Sequence, residues 1–435
     1  MRSLKVLLLA ASLLAGLAVS AAQAAPVDVQ WWHAMSGVNK ERIEKFANDF
    51  NASQSKYRVT ASYKGSYTET MNAVIAAYRA NQQPHIVQVF EVGTQSMMMS
   101  GAIYPVYQLM ADTGHQVDWS GFIQPVLSYY FTPDNHLLSM PFNSSTPILY
   151  YNKDAFAKAG LKDPPKTWQQ MDEYVHKLGV SGQKCAFATS WQSWVHLENY
   201  TALHGVWFAT EDNGFKSLDA KLQFNQPVVV KHFELLQSWV KEGLMSYEGR
   251  GAVPDPAFSS GKCAMQTASS ANYGNFTRDA KFAWSAAPLP IEAGYPVRNS
   301  TIGGATLWVL KGHAKEENEG TAEFLGYLAS VPVQVFWHEA TGYVPITMAA
   351  YRQAKTDGYY NANPVQEIAI EQLTRVAPTP VSRGLRLGNL VQIRDVMDEE
   401  SENIWSGKKT AQQGLDDMVR RGNELLRQFQ QMQKQ

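Results

Sequence analysis

Polar groups follow apolar, strand-like runs at three places in the chain. Glu91 follows HIVQVF, Ser269 and Ser270 follow CAMQTA, and the pair Gly303-Gly304 opens GGATLWVL. Carboxylate, hydroxyl and free backbone N–H groups at strand ends can bind a polar ligand at the edge of an open α/β sheet. A helix cap or a simple turn is the ordinary structural interpretation of each one. Their shared position at the ends of strands favours a binding site.

The stretch FNSST, residues 142–146, lies between two further strand-like runs and contains no glycine. A tight turn between strands normally uses Gly or Asn-Gly. We therefore expect the chain to stay extended here, with its hydroxyl groups facing a ligand cleft. Serines that satisfy their own backbone at a hinge are the alternative.

Motifs of the common enzyme classes are absent from the sequence. The chain has no GxxxxGK[ST], GxSxG or GxGxxG. HEATG begins at His338 like a zinc-protease helix, but Gly342 stands where the second His is needed. The acidic run DVMDEESE, residues 395–402, is more typical of a solvated helix face than of paired catalytic carboxylates. We expect no catalytic residue, no metal site and no cofactor.

The elements that position these groups alternate along the chain. VDVQWWH and YRVTASY have the period of strands, and PHIVQVF reads as a short buried strand. Two helical segments each place four apolar side chains on one face, namely Ile43, Phe46, Ala47 and Phe50, and Met71, Val74, Ile75 and Tyr78. The alternation predicts βαβ units, a mostly parallel sheet and, because it recurs after residue 139, two α/β lobes in contact.

Residues 1–24 have the pattern of a cleaved signal peptide. Arg2 and Lys5 precede an apolar run from Val6 to Val19, followed by small residues up to Ala24. The run is shorter than the roughly 20 apolar residues that span a bilayer. The formal charge of −1, without a Lys/Arg block, argues against nucleic-acid or membrane-surface binding. We expect an exported protein.

Two cysteines occur, Cys185 in GQKCAFA and Cys263 in GKCAMQT, and neither has a metal-binding spacing. In an oxidising compartment they can form a disulfide. Two buried thiols are the alternative.

Seven longer strings resemble the solute-binding proteins of ABC importers, most of all the members that bind sn-glycerol 3-phosphate. They are YKGSYTE, QVFEVGT, PFNSSTPILYYNKDAF, TASS, IGGATLWV, TGYVPIT and GLRLGNLVQIR. The resemblance covers essentially all of the chain after residue 24. It implies an α/β, two-lobe periplasmic binding-protein fold of type II, maltose-binding-protein-like, with the ligand in the inter-lobe cleft. We expect residues 25–138 and 287–332 in lobe 1, and residues 139–286 and 333–435 in lobe 2.

The resemblance also implies a set of ligand-binding residues, which are Tyr67, Glu91, Ser145, Ser269, Gly304, Tyr343 and Arg394. A phosphate monoester needs hydrogen-bond donors, so Arg394 is expected to fork onto the phosphate. Glu91 would repel a phosphate and is expected at the other end of the cleft, accepting from the glycerol hydroxyls. A surface salt bridge to Asp395 or Asp398 is the alternative role of Arg394.

Two neighbouring arginines, Arg383 and Arg386, flank Gly384 and are interpreted as loop charges. The implied partners are the ligand and ABC permease subunits coupled to an ATPase, with the membrane met only through the permease. A monomer without enzymatic activity is expected, and glycerophosphodiesters such as glycerophosphocholine are expected as second ligands.

Two other functions stay open at this point. The Trp-rich WQSWVHLENY, residues 191–200, favours a binder of neutral oligosaccharides. A secreted glycoside hydrolase could use Glu91, but it needs a second nearby carboxylate, and the sequence identifies none.

Overall fold

The computed structural model describes residues 25–132 and 134–434. The expected signal peptide, residues 1–24, lies outside the described residues. The strands of these two ranges are β1 (Val27–His33), β2 (Tyr57–Tyr63), β3 (Ile86–Phe90), β4 (Ile103–Tyr104), β5 (Met140–Ser145), β6 (Pro147–Asn152), β7 (Cys185–Thr189), β8 (Cys263–Ser269), β9 (Trp284–Ala287) and β10 (Gly303–Leu310).

The α-helices of the same ranges are α1 (Gly37–Ser53), α2 (Tyr67–Arg79), α3 (Thr94–Met99), α4 (Val106–Asp112), α5 (Gln124–Ser128), α6 (Lys153–Lys158), α7 (Trp168–Val180), α8 (Tyr200–His204), α9 (Thr210–Asn213), α10 (Pro227–Lys241), α11 (Asp255–Ser259), α12 (Tyr273–Asp279), α13 (Lys315–Leu328), α14 (Val331–Thr341), α15 (Met348–Thr356), α16 (Tyr359–Ala362), α17 (Ile368–Thr374), α18 (Leu390–Trp405) and α19 (Ala411–Gln433). A π-helix, Trp194–Asn199, leads into α8. Within the described ranges, no helix combines the length and apolarity needed to cross a bilayer.

The first sheet has the order β2-β1-β3-β10-β4, with β5 also paired to β10. β1 runs parallel to β2 and β3, as the βαβ pattern predicts. β10 is antiparallel to β3, β4 and β5. The expectation of a mostly parallel sheet is therefore wrong for this half, because β10 returns from the second lobe and begins at the edge where β3 ends.

The second sheet has the order β7-β8-β6-β9. β7 and β8 are parallel, and β6 is antiparallel to both β8 and β9, so the expectation of a mostly parallel sheet is wrong for this half too. The two sheets with their helices form the two lobes, so the α/β, two-lobe prediction agrees with the structure.

The helix faces follow the predicted periodicity closely. α1 buries Ile43, Phe46, Ala47 and Phe50, the four residues of its apolar stripe. α2 buries Met71 and Val74 but leaves Ile75 39% exposed. Its buried stripe runs through Thr70 instead, so the prediction was wrong for Ile75.

The chain crosses between the lobes at different points from those expected. Because β5 pairs with β10, residues 140–145 belong to the first sheet, and the crossover lies at Thr146 rather than at 138/139. Residues 333–347 also return to the first lobe, where Trp337 packs against Phe46 and Phe142 with ring centroids 5.6 and 5.2 Å apart. Residues 287–300 stay in the second lobe, where Ala287 pairs with Leu149 in the second sheet and Ile291 bridges to Thr167. The expected bounds are therefore wrong for 139–145, 287–300 and 333–347.

The segment that crosses between the lobes at Thr146 is hydrogen-bonded to the segment that returns to the first lobe. The Thr146 hydroxyl donates to the Ser300 hydroxyl at 2.7 Å and lies 3.0 Å from the Thr301 carbonyl oxygen. After the third crossing, α18 packs on α10 in the second lobe, where Trp405 stacks on Phe233. The lobes are thus joined by adjacent extended segments that can act as a hinge.

A disulfide joins the first residues of two paired strands. Cys185 opens β7, Cys263 opens β8, and the parallel pairing sets them opposite each other. Their Cα atoms are 4.5 Å apart and the bond encloses a sequence separation of 78 residues. A cross-link over so long a loop reduces the entropy of the unfolded chain, which stabilises the second lobe.

Replacing both cysteines, as Cys185→Ser with Cys263→Ser, should lower the free energy of unfolding of the second lobe by about 2–5 kcal/mol. Thermal melting with and without dithiothreitol measures this. The wild type should melt earlier in the reductant and the double variant should not respond to it. A wild type whose fully reduced form melts at the same temperature would contradict the stabilising role.

Candidate functional site

A cavity of about 660 Å³ lies between the lobes. The first lobe contributes the residues after β1 and β3, and the second lobe contributes those after β8. All seven residues predicted from the sequence line it, namely Tyr67, Glu91, Ser145, Ser269, Gly304, Tyr343 and Arg394. The structure thus brings the predicted residues together, and their contact with a ligand stays a prediction.

Asn143 organises the first-lobe side of the cavity. Its Oδ1 accepts from Gln88 Nε2 at 2.7 Å, and its Nδ2 donates to the Tyr67 hydroxyl at 2.8 Å. The Tyr67 ring stacks on Phe90, with centroids 5.3 Å apart. Burial raises the pKa of Tyr67 well above its ordinary value. The phenol stays protonated and interacts with the neighbouring Tyr343 hydroxyl, so it can donate to a ligand in competition with that neighbour.

Ser145 and Gly304 lie on the paired strands β5 and β10, one position apart in register. Gly303 is opposite Ser145 and Gly304 is opposite Ser144. Gly304 has φ +95°, and a Cβ there would stand 2.0 Å from the Asn143 carbonyl oxygen. Only glycine lets β10 pass this close. Of the FNSST hydroxyls, that of Ser145 lines the cavity, whereas Thr146 binds the crossover.

The second-lobe side places Ser269 at the end of β8. Its hydroxyl oxygen accepts from the Ala271 N–H at 3.2 Å, and its carbonyl accepts from the Tyr150 hydroxyl at 3.0 Å. The hydroxyl proton of Ser269 is therefore left for a ligand.

Tyr343 follows α14 and is held on two sides. Its ring stacks on Trp337, with centroids 5.4 Å apart and planes 13° from parallel. Its carbonyl oxygen lies 2.7 Å from His338 Nδ1. Burial raises the pKa of the Tyr343 hydroxyl, which stays a neutral donor.

Arg394 binds two buried carboxylates. Its Nε and Nη2 donate to the two oxygens of Glu198 at 2.7 and 2.8 Å, which makes a planar fork. Nη2 also donates to Glu91 Oε1 at 2.5 Å. Glu91 and Glu198 are 3% and 4% exposed. We call these three residues the carboxylate–arginine triad.

The triad contradicts one expectation and one alternative about its members. The expected position of Glu91 at the end of the cleft away from Arg394 is wrong, because a lone buried carboxylate needs a counter-charge and the two side chains are in contact. Arg394 pairs with neither Asp395 nor Asp398, whose side chain instead accepts from Ser193.

The surroundings favour the charged form of Arg394 and disfavour that of Glu91. Burial disfavours the Arg394 charge, but Glu198 and Glu91 outweigh it and raise the pKa of Arg394 well above its ordinary value. Burial raises the pKa of Glu91, and Arg394 opposes that shift. Two carboxylates on one guanidinium leave the triad with a net charge of about −1 when all are ionised.

Arg383 and Arg386 are not loop charges in solvent, as the sequence suggested. Arg386 is 4% exposed and donates to the carbonyl oxygens of Tyr129 and Phe131 at 2.9 and 2.6 Å. Both guanidinium groups lie over the Phe215 ring, at 4.3 and 4.6 Å from its centroid. They hold the lobes together by binding the backbone of the other lobe and do not line the cavity.

Several cavity residues were missed by sequence reasoning. Glu198 completes the triad and lies in the π-helix within WQSWVHLENY. In the sequence, this segment stands out only by its tryptophans. Trp191, Trp194 and Asp255 line the cavity as well. A π-helix at this place is a structural signal of function, but no sequence motif marks it.

Replacing Arg394 with alanine should destabilise the ligand-free protein. It leaves two buried carboxylates without a counter-charge, which costs about 3–5 kcal/mol. Denaturant titration monitored by tryptophan fluorescence measures the loss.

Arg250 offers a matched control, because it makes the same fork to Glu402 at 2.7 Å but with a side chain 43% exposed. Arg250→Ala should cost about 0–1 kcal/mol. Equal losses in the two variants would mean that the triad stabilises no more than a surface pair.

Comparisons with known proteins agree on one family. The model of the bacterial extracellular solute-binding proteins matches residues 45–364. The sn-glycerol-3-phosphate-binding periplasmic protein UgpB of Escherichia coli O1:K1 is 46% identical over 430 residues, 98% of each chain. Its counterpart from Pectobacterium atrosepticum is 46% identical over 431 residues, 98% of this chain and 97% of that one.

Solved structures share the fold. UgpB from Mycobacterium tuberculosis in complex with glycerophosphocholine superposes with a TM-score of 0.79 at 21% identity, covering 93% of this chain and 99% of that one. Maltose-bound MalE3 of Thermotoga maritima gives a TM-score of 0.75 at 16% identity, covering 92% and 100%. The chain belongs to the bacterial extracellular solute-binding protein family.

Proposed function

We propose that this protein captures sn-glycerol 3-phosphate in the periplasm and delivers it to the permease of an ABC importer. One observation carries the proposal: the seven residues that the resemblance implies meet in one inter-lobe cavity. The Escherichia coli and Pectobacterium relatives, 46% identical over nearly their full length, are named for binding this ligand in the periplasm.

The phosphate is held mainly by neutral donors. The hydroxyls of Ser145, Ser269 and Tyr343 and the Gly304 N–H supply them, and hydrogen bonds to a charged oxygen are stronger than neutral ones. Arg394 contributes through Nη1, because its Nε and Nη2 are bound to carboxylates. In this proposal the guanidinium meets the phosphate through one nitrogen, and not through the expected two-bond fork.

The glycerol end lies on the other side of the triad. Glu91 gives only Oε1 to Arg394, so Oε2 can accept from a ligand hydroxyl. The Tyr67 hydroxyl stands beside it as a donor. A ligand in this position contacts both lobes and stabilises their closure about the hinge.

The same geometry supports ligand binding without catalysis. A glycoside hydrolase needs one free carboxylic acid and one free carboxylate at the reacting bond. Glu91 and Glu198 are instead both bound to one guanidinium. The proposed function is therefore transport and not catalysis.

The phosphate donors can be tested one at a time. Ser145→Ala and Ser269→Ala should each weaken sn-glycerol 3-phosphate by about 10- to 100-fold, since a hydrogen bond to a charged group contributes about 1.5–3 kcal/mol. Ser260→Ala, at an exposed serine outside the cavity in the lobe that carries Ser269, is the control and should bind like the wild type. Titration calorimetry measures the affinity of each variant for the ligand. Equal affinities in all three variants would mean that the phosphate does not bind at this end of the cavity.

The class of ligand that the protein binds can be tested with the wild-type protein alone. Calorimetry should detect sn-glycerol 3-phosphate and no neutral oligosaccharide such as maltotriose, and chromogenic glycosides should release no product. Binding of the oligosaccharide in place of the phosphate ester would contradict the proposal.

A further inference from the structure

Three polar side chains converge at the edge of the first sheet that lies away from the ligand cavity. His85 directly precedes β3, His313 follows β10, and Glu317 lies in the first turn of α13. The opposite ends of the same two strands lead to Glu91 and Gly304 of the cavity. We call His85, His313 and Glu317 the His–His–Glu cluster. None of its members belongs to the residues that line the cavity.

The two imidazole rings of the cluster present their edges to one carboxylate. The rings stack, with centroids 3.8 Å apart and planes 24° from parallel. His85 Nε2 is 3.7 Å from Glu317 Oε1, and His313 Nδ1 is 3.9 Å from Glu317 Oε2. Both distances are longer than a hydrogen bond. The three groups therefore surround a gap, although one nitrogen or oxygen atom of each lies within 4.8 Å of the others.

Hydrogen bonds on the far sides of the rings fix the tautomer of each histidine. The Gln30 N–H donates to His85 Nδ1 at 3.0 Å, so the ring proton of His85 is on Nε2. His313 Nε2 lies 3.1 Å from the Pro84 carbonyl oxygen, which can only accept. The neutral His313 ring therefore carries its proton on Nε2 and turns the Nδ1 lone pair towards Glu317.

The cluster contains a buried donor without a partner. His85 is 6% exposed, and within the described ranges its Nε2 forms no hydrogen bond. The Glu317 carboxylate is held in place by the Ala314 N–H, which donates to Oε2 at 2.7 Å. The Glu317 side chain is 35% exposed, so the gap can be reached from solvent. The gap is thus lined by one N–H donor, one nitrogen lone pair and one carboxylate.

These groups have the chemistry of a metal site. A nitrogen lone pair opposite a carboxylate is repelled unless a positive charge lies between them. Imidazole nitrogen and carboxylate oxygen bind Zn²⁺ at about 2.0–2.2 Å, so two such ligands at a tetrahedral angle stand about 3.4 Å apart. The observed 3.9 Å between His313 and Glu317 is near this value. A metal-binding histidine also usually donates its other N–H to a carbonyl, as His313 does to Pro84.

We propose that His313 Nδ1 and the Glu317 carboxylate bind a Zn²⁺ ion on the first lobe, with water completing its coordination and accepting from His85 Nε2. His85 acts through this water and is not a ligand itself, because its Nδ1 already accepts from the Gln30 N–H. The expectation of no metal site rested on local motifs, whereas the buried donor comes from a distant part of the sequence. The inference goes beyond the proposed function and does not depend on it.

Titration calorimetry with Zn²⁺ alone, on the full protein without an affinity tag and after treatment with a chelator, tests the site. The wild type should bind Zn²⁺ and not Mg²⁺, which prefers sites made only of oxygen. Zn²⁺ should also raise the melting temperature, since it binds the folded state. His313→Ala and Glu317→Gln should each lose this binding, and the amide of the second variant can still accept from Ala314.

His85→Asn separates the donor from its structural role. The asparagine side-chain oxygen can still accept from the Gln30 N–H, but the Nε2–H is lost. Because second-shell partners of a metal site typically contribute 10- to 100-fold, this variant should bind Zn²⁺ about 10- to 100-fold more weakly than the wild type. Unchanged affinity in this variant would overturn the assigned role of His85.

His176→Ala is the matched control, because His176 is also a histidine beside acidic groups. Its two ring nitrogens already lie 2.8 Å from the Asp172 carbonyl oxygen and from Glu242 Oε2, which leaves no gap for an ion. This variant should bind Zn²⁺ like the wild type. A wild type that does not bind Zn²⁺, or binding that survives both His313→Ala and Glu317→Gln, would overturn the proposal. Circular dichroism of the metal-free variants should match the wild type, so that lost binding reports lost ligands.

Discussion

The cavity depends on one buried guanidinium that serves two carboxylates. Arg394 comes from α18, Glu198 from the π-helix and Glu91 from the end of β3, so three elements of two lobes meet at one side chain. Neither carboxylate could stay buried and ionised without Arg394, because an isolated ion in the protein interior costs several kcal/mol. The triad therefore fixes where the lobes meet and places the ligand cavity beside them.

The remaining polar groups are arranged around this fixed point by backbone geometry. β10 brings Gly304 against the backbone of β5, where a side chain would collide with the Asn143 carbonyl. β8 ends in Ser269 and β5 ends in Ser145, so the edges of both sheets point hydroxyls into the same space. The hinge strands lie next to these groups, with Thr146 bonded to Ser300, so a ligand bound here acts directly on the relative position of the lobes.

Local sequence patterns predicted the elements and side chains that depend on neighbouring residues. The stripe of Ile43, Phe46, Ala47 and Phe50 identified α1 and its buried face, and the polar residues after strands identified one wall of the cavity. The contacts between distant segments were not predictable. Glu198 lies 196 residues from Arg394 in sequence, and nothing in its neighbourhood distinguishes it from a surface acid. The antiparallel entry of β10 likewise depends on a return from the other lobe, which periodicity does not encode.

The most direct measurement is the crystal structure of the protein with sn-glycerol 3-phosphate bound. The account predicts the phosphate within hydrogen-bond distance of Ser145, Ser269, Gly304 and Tyr343, and a glycerol hydroxyl on Glu91. Arg394 should keep its two-bond fork to Glu198 and meet the ligand only through Nη1. A phosphate bound by Nε and Nη2 of Arg394, with Glu198 displaced, or a ligand outside the inter-lobe cavity would contradict it.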